Sequence, residues 1–462
     1  EGNFWLQIVL SAIMFPAVLL LLLSICITLS SCIPPEHPSS LTTQYEITGR
    51  HQKLAHSYLF DFSHVRVRFM VAQQGENKEM RADESTVGAV KLSIRVNMRQ
   101  YTPCAKEKGC DRVKVELFAM DSSVEGSEHP VDEEHQDSQK GMRFSPPQPL
   151  VDPQVIQMAN ASSLYVVNFT FDQTPPSQFL VQLTKITECL VGSIEFYGAD
   201  IQSNGVSSSW VIMKNQRTDK ESTKTEHEQQ SIQSSSSRTT TTQRRIEVYG
   251  DSLTCGYGIL GKDPCPFSSQ TEDCTKTYAS LLSQSFDAGL SMVCVSGIGL
   301  LHSYGSDKVI SPVNQYKLLP QSIAADNSSS WNFSLYQPDL VMIYLGANDF
   351  STQPQPSGEL WMDYYVKYLD KIWGVYGRNK FPQKFALLCG AAAREHPWCD
   401  YVKQIAERWN SVSQAPEAHV LNVAHIQKRP EMDGCNTHPN TEANRLIFEN
   451  LRPKIQEIMG WD

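Results

Sequence analysis

Three scarcities narrow the reading of this 462-residue chain before any motif is considered. It has no cluster of Lys and Arg interleaved with aromatics, and its 40 bases are outnumbered by 50 acids, giving a net charge of −10. Phosphate backbones are held by the opposite pattern, so nucleic acid is excluded as the expected partner. Paired Cys-x-x-Cys motifs are also lacking, although the chain has 12 cysteines. That spacing does not indicate zinc, and disulfides are the better reading of a set in which Cys104 and Cys110, Cys265 and Cys274, and Cys389 and Cys399 stand close together. Their connectivity is left open. Finally, no charged residue occurs between Gly2 and Pro35.

Within that uncharged stretch, Phe4 to Leu29 is apolar apart from a few Ser, Thr and Gln. A membrane-crossing helix needs about 20 such residues, whereas a signal-peptide core commonly has ~7–15. Residues 1–33 are therefore expected to be a signal anchor, with a cleaved signal peptide as the alternative. Leu29-Ser30-Ser31-Cys32 also resembles a bacterial lipoprotein box, for which the apolar run is long. The next Lys or Arg is Arg50, so the remainder is expected outside the cytosol, either membrane-anchored by a single pass or secreted. The sequons Asn160-Ala-Ser, Asn168-Phe-Thr, Asn327-Ser-Ser and Asn332-Phe-Ser suit a glycoprotein of that compartment.

At this length two domains are expected. After a Pro- and Ser-rich stalk at 34–43, residues 44–202 carry short β-type runs: Val65–Val71, Val90–Met98, Val113–Met120, Leu164–Phe171, Phe179–Lys185 and Ser193–Tyr197. Alternation in Lys91-Leu-Ser-Ile-Arg-Val-Asn-Met and turn signals between runs read as a β-sandwich. The acidic interval Asp121–Gln139 reads as a solvated loop. Residues 203–244, rich in Ser and Thr, read as a flexible linker because little in them can pack. From 245 to 462, strands (Ile246–Tyr249, Ser291–Val295, Asp339–Leu345, Lys384–Cys389, His419–Val423) alternate with helical spacing. This predicts a doubly wound, five-stranded parallel sheet. The stripe Trp361, Tyr365, Tyr368, Ile372 fits the core side of one helix, and Val402, Ile405, Trp409, Val412 that of another.

The first three of these strands each end in small polar residues: Gly250-Asp251-Ser252-Leu253, then Ser296-Gly297-Ile298-Gly299, then Gly346-Ala347-Asn348-Asp349. In a flavodoxin-like order 2-1-3-4-5 the first and third strands adjoin at the switch point, and ligands sit at the carboxyl ends. Ser252 would be a nucleophile there. Its own N–H, the Gly297 N–H and the Asn348 amide would form an oxyanion hole. A general base is expected late, and His438, in Asp433-Gly-Cys-Asn-Thr-His438-Pro439, lies in a loop at the same sheet edge. That position sets it above His302, His396 and His425.

Gly-Asp-Ser-Leu, Ser-Gly, Gly-x-Asn-Asp and a late His-Pro, in that order, resemble the four blocks of the SGNH (GDSL-type) hydrolases over about residues 246–460. The likeness is closer to the second carbohydrate esterase family, two-domain acetylesterases with an N-terminal jelly roll. That family shows similar patterns at Gly250–Gly258, Ser296–Gly299, Gly346–Phe350 and Gly434–Pro439, and its first domain resembles this chain at Gly49-Arg50 and Lys185-Ile-Thr-Glu188. The resemblance implies a serine esterase that removes O-acetyl groups from carbohydrate of the acetylxylan or acetylglucomannan type. Ser252 is then the nucleophile, His438 the general base, and no metal or cofactor is required. Many SGNH enzymes carry an Asp three residues before the histidine, where this chain has Cys435. A Ser–His dyad oriented by a backbone carbonyl is expected instead, with Asp433 a candidate third member. Thr437 replaces an aromatic frequent in the family, and the linker is longer than usual. The alternatives are a lipid or thioester hydrolase or an acyltransferase on the same scaffold, or a non-catalytic protein that binds glycans through its sandwich.

Overall fold

Strands that alternate apolar and polar residues must bury one face, whereas strands apolar throughout must be covered on both. Both kinds occur here, in different parts of the chain. The computed structural model describes residues 45–60, 62–74, 90–104, 108–119, 148–160, 162–173, 175–204, 209–213, 244–306, 331–351, 353–378, 382–390, 398–426 and 430–462. The apolar segment, the stalk, the acidic interval 121–139 and residues 214–243 lie outside them. Among the described residues no helix is long and apolar enough to cross a membrane.

The alternating strands form two antiparallel sheets in a jelly-roll-like sandwich. One runs β1 (Glu46–Thr48), β4 (Arg66–Gln74), β9 (Gln178–Lys185), β6 (Arg112–Ala119), β7 (Gln154–Gln157), with β11 (Ser209–Ile212) also pairing with β4. The other runs β2 (Gln52–Lys53), β3 (Tyr58–Phe60), β10 (Ile194–Asn204), β5 (Val90–Gln100), β8 (Leu164–Phe171). On β5 the residues Val90, Leu92, Ile94, Val96 and Met98 are buried while Lys91 and Arg99 are exposed. One expectation is corrected. The interval 203–244 is not linker throughout, because β10 continues to Asn204 and Ser209–Ile212 is a strand. Trp210 is buried there against Phe179, with ring centroids 5.4 Å apart. Four consecutive apolar residues, Trp210 to Met213, after a run of serines are too few to show a period, and pairing with β4 supplies what the local sequence lacks.

The second part is a five-stranded parallel sheet in the order β13 (Gly289–Cys294), β12 (Arg245–Gly250), β14 (Leu340–Tyr344), β15 (Lys384–Cys389), β16 (Glu417–Asn422). In sequence rank this is the expected 2-1-3-4-5, with β12 lying between β13 and β14. Every residue of β14 is buried, as a strand covered on both faces requires. The helices are α1 (Ser252–Cys255), α2 (Tyr278–Ser285), α3 (Ala347–Ser351), α4 (Gly358–Val375), α5 (Trp398–Asn410) and α6 (Thr441–Met459). The aromatic stripe of α4 is core: Trp361, Tyr365, Tyr368 and Ile372 are all buried. Val412, expected on the stripe of α5, lies beyond its end at Asn410 and is exposed.

Sandwich and parallel sheet belong to one compact unit, Thr42–Asp462. A charge stands in the dry seam between them. Arg50, fully buried, donates to Tyr249 Oη at 2.7 Å and pairs with Glu247 Oε1 at 3.4 Å, and its guanidinium lies 5.4 Å from the Phe333 ring centre. Burial works against that charge, yet Tyr249 and Glu247 raise the Arg50 pKa above its ordinary value. Glu247 also accepts from Tyr249 Oη at 2.8 Å and Ser291 Oγ at 3.0 Å, and from Tyr376 Oη. Removing one partner of a buried pair leaves the other desolvated, so Arg50→Met is expected to cost roughly 3–5 kcal/mol. Chemical denaturation checks this. Pairing it with Glu247→Gln is expected to restore part of the loss.

Candidate active site

Strand β12 stops at Gly250 because α1 begins almost at once. A Cβ on Gly250 would stand 2.1 Å from Thr254 Oγ1. Asp251 caps α1, its carboxylate accepting from Leu253 N at 3.0 Å and from Asn348 Nδ2 at 3.0 Å. Burial pushes the Asp251 carboxyl up to about 7. Ser252 is the first helical residue, where a backbone N–H has no intrahelical acceptor. The Cys255–Cys294 disulfide ties this turn to the end of β13.

His438 comes from the chain that follows β16, the far edge strand of the sheet, at the same carboxyl end as Ser252. The chain after β16 is pinned by the Cys265–Cys435 disulfide and by a Gly434 N to His438 O bond of 2.6 Å. Asn440 then caps α6, accepting from Ala443 N at 3.0 Å. Asn436 and Thr437 both take left-handed backbone angles (φ 52° and 59°), uncommon for residues with a Cβ. Two bonds hold them there, Asn436 Nδ2 to Tyr257 Oη at 2.7 Å and Thr437 N to Asp263 Oδ1 at 3.1 Å. This turn brings the Asn436 carbonyl to 3.0 Å from His438 Nδ1, while Nε2 lies 2.8 Å from Ser252 Oγ. A carbonyl only accepts, so Nδ1 carries the proton and Nε2 offers its lone pair to the serine hydroxyl.

Burial lowers the His438 pKa, opposed by the hydrogen bond to the Asn436 carbonyl. Asp433 is buried in a bridge to Pro439, and the place opposite Nδ1 is filled by the Asn436 carbonyl rather than by its carboxylate. The Tyr257 ring covers the imidazole with centroids 4.3 Å apart, and Phe267 stacks on Tyr257 at 4.4 Å.

Gly297, in the loop after β13, has φ 78°, the region that favours glycine. Its N–H meets no acceptor among the described residues, and its carbonyl accepts from Tyr304 N at 2.8 Å. Asn348, on α3, is drawn to the same place: its Nδ2 donates to Asp251 Oδ2 at 3.0 Å and to Ile298 O at 2.9 Å. An amide nitrogen has two hydrogens, and both have acceptors here. Asp349 accepts from Leu300, Leu301 and His302 N–H at 2.8, 2.7 and 2.9 Å, anchoring the far end of the Gly297 loop. The other histidines are engaged elsewhere: His302 Nε2 meets Ser306 O at 2.7 Å, His425 faces Asn450, and His396 lies outside the described residues.

Cys265 joins Cys435 across 170 positions, not its sequence neighbour Cys274. Cys274 and Cys189 remain thiols. Sequence reading assigned no role to Asp251, Asp349 or Tyr257, although all three fall inside quoted motifs. For Asp251 a signal was available, since an Asp immediately before a helix start is a strong N-cap.

Residues 246–451 match the family model of GDSL-like lipases and acylhydrolases. Among curated proteins, the cellulase/esterase CelE of Acetivibrio thermocellus is 28% identical over 227 residues, covering 47% of this chain and 26% of that protein. An acetylxylan esterase / glucomannan deacetylase of Cellvibrio japonicus is 26% identical over 226 residues, 47% of this chain and 58% of that relative. The match thus spans a quarter to under two thirds of these relatives' length. A family two carbohydrate esterase from Clostridium thermocellum, solved with cellohexaose, superposes with a TM-score of 0.61 at 18% identity. It covers 90% of this chain and all of that one, a likeness of fold across both sheets systems. The matching blocks stand at the ends of β12, β13 and β14 and just before α6, and it is the segment from 246 to 451 that is similar to the GDSL-like lipases and acylhydrolases.

Proposed function

We propose that the chain is a serine esterase that removes O-acetyl groups from carbohydrate through a Ser252–His438 dyad. The observation that carries the reading is the pair of contacts on one imidazole: Ser252 Oγ 2.8 Å from Nε2 and the Asn436 carbonyl 3.0 Å from Nδ1. The substrate class is supported by the relatives named as acetylxylan esterase / glucomannan deacetylase and as cellulase/esterase.

In this reading Ser252 Oγ attacks the acetyl carbonyl carbon and its proton passes to Nε2. The carbonyl oxygen becomes an oxyanion facing the Ser252 and Gly297 N–H groups. Asn348, whose amide joins Asp251 to the Ile298 carbonyl, contributes in two ways. It holds both loops at the hole, and it supplies a third donor when one of its hydrogens turns to the oxyanion. The intermediate collapses as the bond to the sugar oxygen breaks, and Nε2–H protonates that leaving oxygen. Water then attacks the acetyl-serine and gives its proton to Nε2, the bond from the acetyl carbon to Ser252 Oγ breaks, Nε2–H returns the proton to Oγ, and acetic acid leaves to ionise in water. The Asn436 carbonyl orients the ring as a dipole without a full charge, so the imidazolium formed in each step is stabilised less than beside a carboxylate. Asp433, the candidate third member, is buried beside this turn in its bridge with Pro439.

Acetate release from acetylated xylan and glucomannan by the full chain tests the reading. Ser252→Ala is expected to lower kcat by at least about a thousandfold. Undiminished release by that variant ends the nucleophile assignment. Preference for long-chain acyl esters over acetyl esters would turn the reading to a lipid or thioester hydrolase, and glycan binding without turnover would turn it to a binding protein. Because the base works only when neutral and its pKa is lowered, kcat/KM is expected to fall on the acid side with a midpoint below the ordinary histidine value of about 6.5. A midpoint above that value would show a carboxylate, not the Asn436 carbonyl, on the ring.

A further inference from the structure

One side chain from the sandwich reaches the loop that carries Gly297. Glu188 follows β9, at the end of the Lys185-Ile-Thr-Glu188 motif, and is fully buried. Its Oε2 accepts from Ser296 N–H at 2.7 Å, a short charge-assisted bond to the amide immediately before Gly297. Its backbone is itself held. The Glu188 N–H donates to Glu272 Oε2 at 3.2 Å, and its carbonyl accepts from Lys185 Nζ at 3.2 Å. Lys185 in turn pairs with Asp111 at 2.7 Å, both fully buried.

We propose that Glu188 is a positioning residue for the oxyanion hole: by fixing the Ser296 amide it aims the Gly297 N–H at the reacting carbonyl. The inference rests on the serine-esterase reading above and names a determinant of its rate. The loop needs an outside restraint, because a glycine at φ 78° loses more freedom on ordering than any other residue. Its far end is secured by Asp349 and the Gly297 carbonyl by Tyr304 N–H, while at the near end Val295 bonds Gly250 O and Ile298 N–H, and among the described residues the one side chain that holds the Val295–Ser296 peptide is Glu188. That peptide's N–H goes to Glu188 across the seam. A donor of an oxyanion hole is effective only when aligned before the reaction, so a restraint one residue away affects kcat more than KM. Burial disfavours the carboxylate's charge, and the bonding to Ser296 and the Lys108 and Lys185 ammoniums favour it. Burial raises the pKa of Glu188, and raises that of Glu272 still further with the neighbouring Glu188 charge adding to it.

The test compares four variants of the full chain: Glu188→Ala, Glu188→Asp, Glu188→Gln and Arg112→Met. Arg112 belongs to the same seam, donating to the carbonyls of Ser269, Gln270 and Glu272 at 3.0, 3.2 and 3.2 Å, but it does not touch the Gly297 loop. Glu188→Ala is expected to lower kcat on an acetyl ester about 10- to 100-fold with KM changed less than about threefold. Amide exchange in the peptide spanning 295–299 is expected to accelerate at least about tenfold in the same variant. Should that variant fail to fold, Glu188→Asp, which keeps the charge but withdraws it by one methylene, is expected to show the same two changes. Glu188→Gln retains an acceptor oxygen and is expected to stay near wild type, as is Arg112→Met in both readouts. Wild-type kcat and exchange in Glu188→Ala or Glu188→Asp overturn the proposal. Equal losses in Arg112→Met overturn it too, by assigning the effect to the seam as a whole. If the wild-type chain shows no Ser252-dependent turnover, the esterase reading fails, and the exchange rates alone decide whether Glu188 holds the loop.

Discussion

A charge taken out of water must meet its partner where it is buried, and this chain buries several at the junction of two differently built halves. Arg50 leaves the sandwich to reach Glu247 and Tyr249 in β12 of the parallel sheet. Glu188 leaves it to reach the amide after β13. With the halves packed together, removing one partner would leave the other buried and unpaired, so each side of the seam constrains what the other can carry. The long Ser- and Thr-rich connection between them in sequence therefore does not imply loose coupling. Contacts made by residues far from it govern how the halves meet.

The candidate site follows from the same constraint. Its groups come from the ends of three adjacent strands and from one late loop, and each is held by neighbours more rigid than itself. Ser252 is held by the capped turn of α1, Gly297 by a loop fixed at both ends, and His438 by a turn of two left-handed residues tied to Tyr257 and Asp263. The imidazole is oriented by a backbone dipole, and the disulfide at Cys435 occupies the position where related motifs carry an acidic residue. One consequence is chemical economy. A carbonyl cannot be protonated near neutral pH, so the orientation of the ring does not depend on a second titrating group.

Much of this was legible in the chain because the relevant patterns are short and contiguous. The five parallel strands could be read from apolar runs separated by helical spacing, their order only by analogy with a flavodoxin-like sheet, and the buried stripe of α4 from Trp361, Tyr365, Tyr368 and Ile372. The polar endings at Ser252, Gly297 and Asn348 were likewise visible, since a strand that closes on small polar residues exposes them at one sheet edge. The strands β1, β2, β3, β7 and β11 were not legible. Each has only two to four residues and is stabilised by its partner strand, not by its own propensity.

By itself, then, the sequence determined which residues stand at the ends of the strands and which faces must be covered, because periodicity and motif order are local properties. Only the tertiary structure decided what pairs across distance. It joined Cys265 to Cys435 instead of to its near neighbour, put the Asn436 carbonyl on His438 in the place open to Asp433, and carried Glu188 from one half of the molecule to the amide of Ser296 in the other. These choices depend on backbone direction over tens to hundreds of residues. No spacing along the chain records that direction, and burial then makes each pairing costly to exchange.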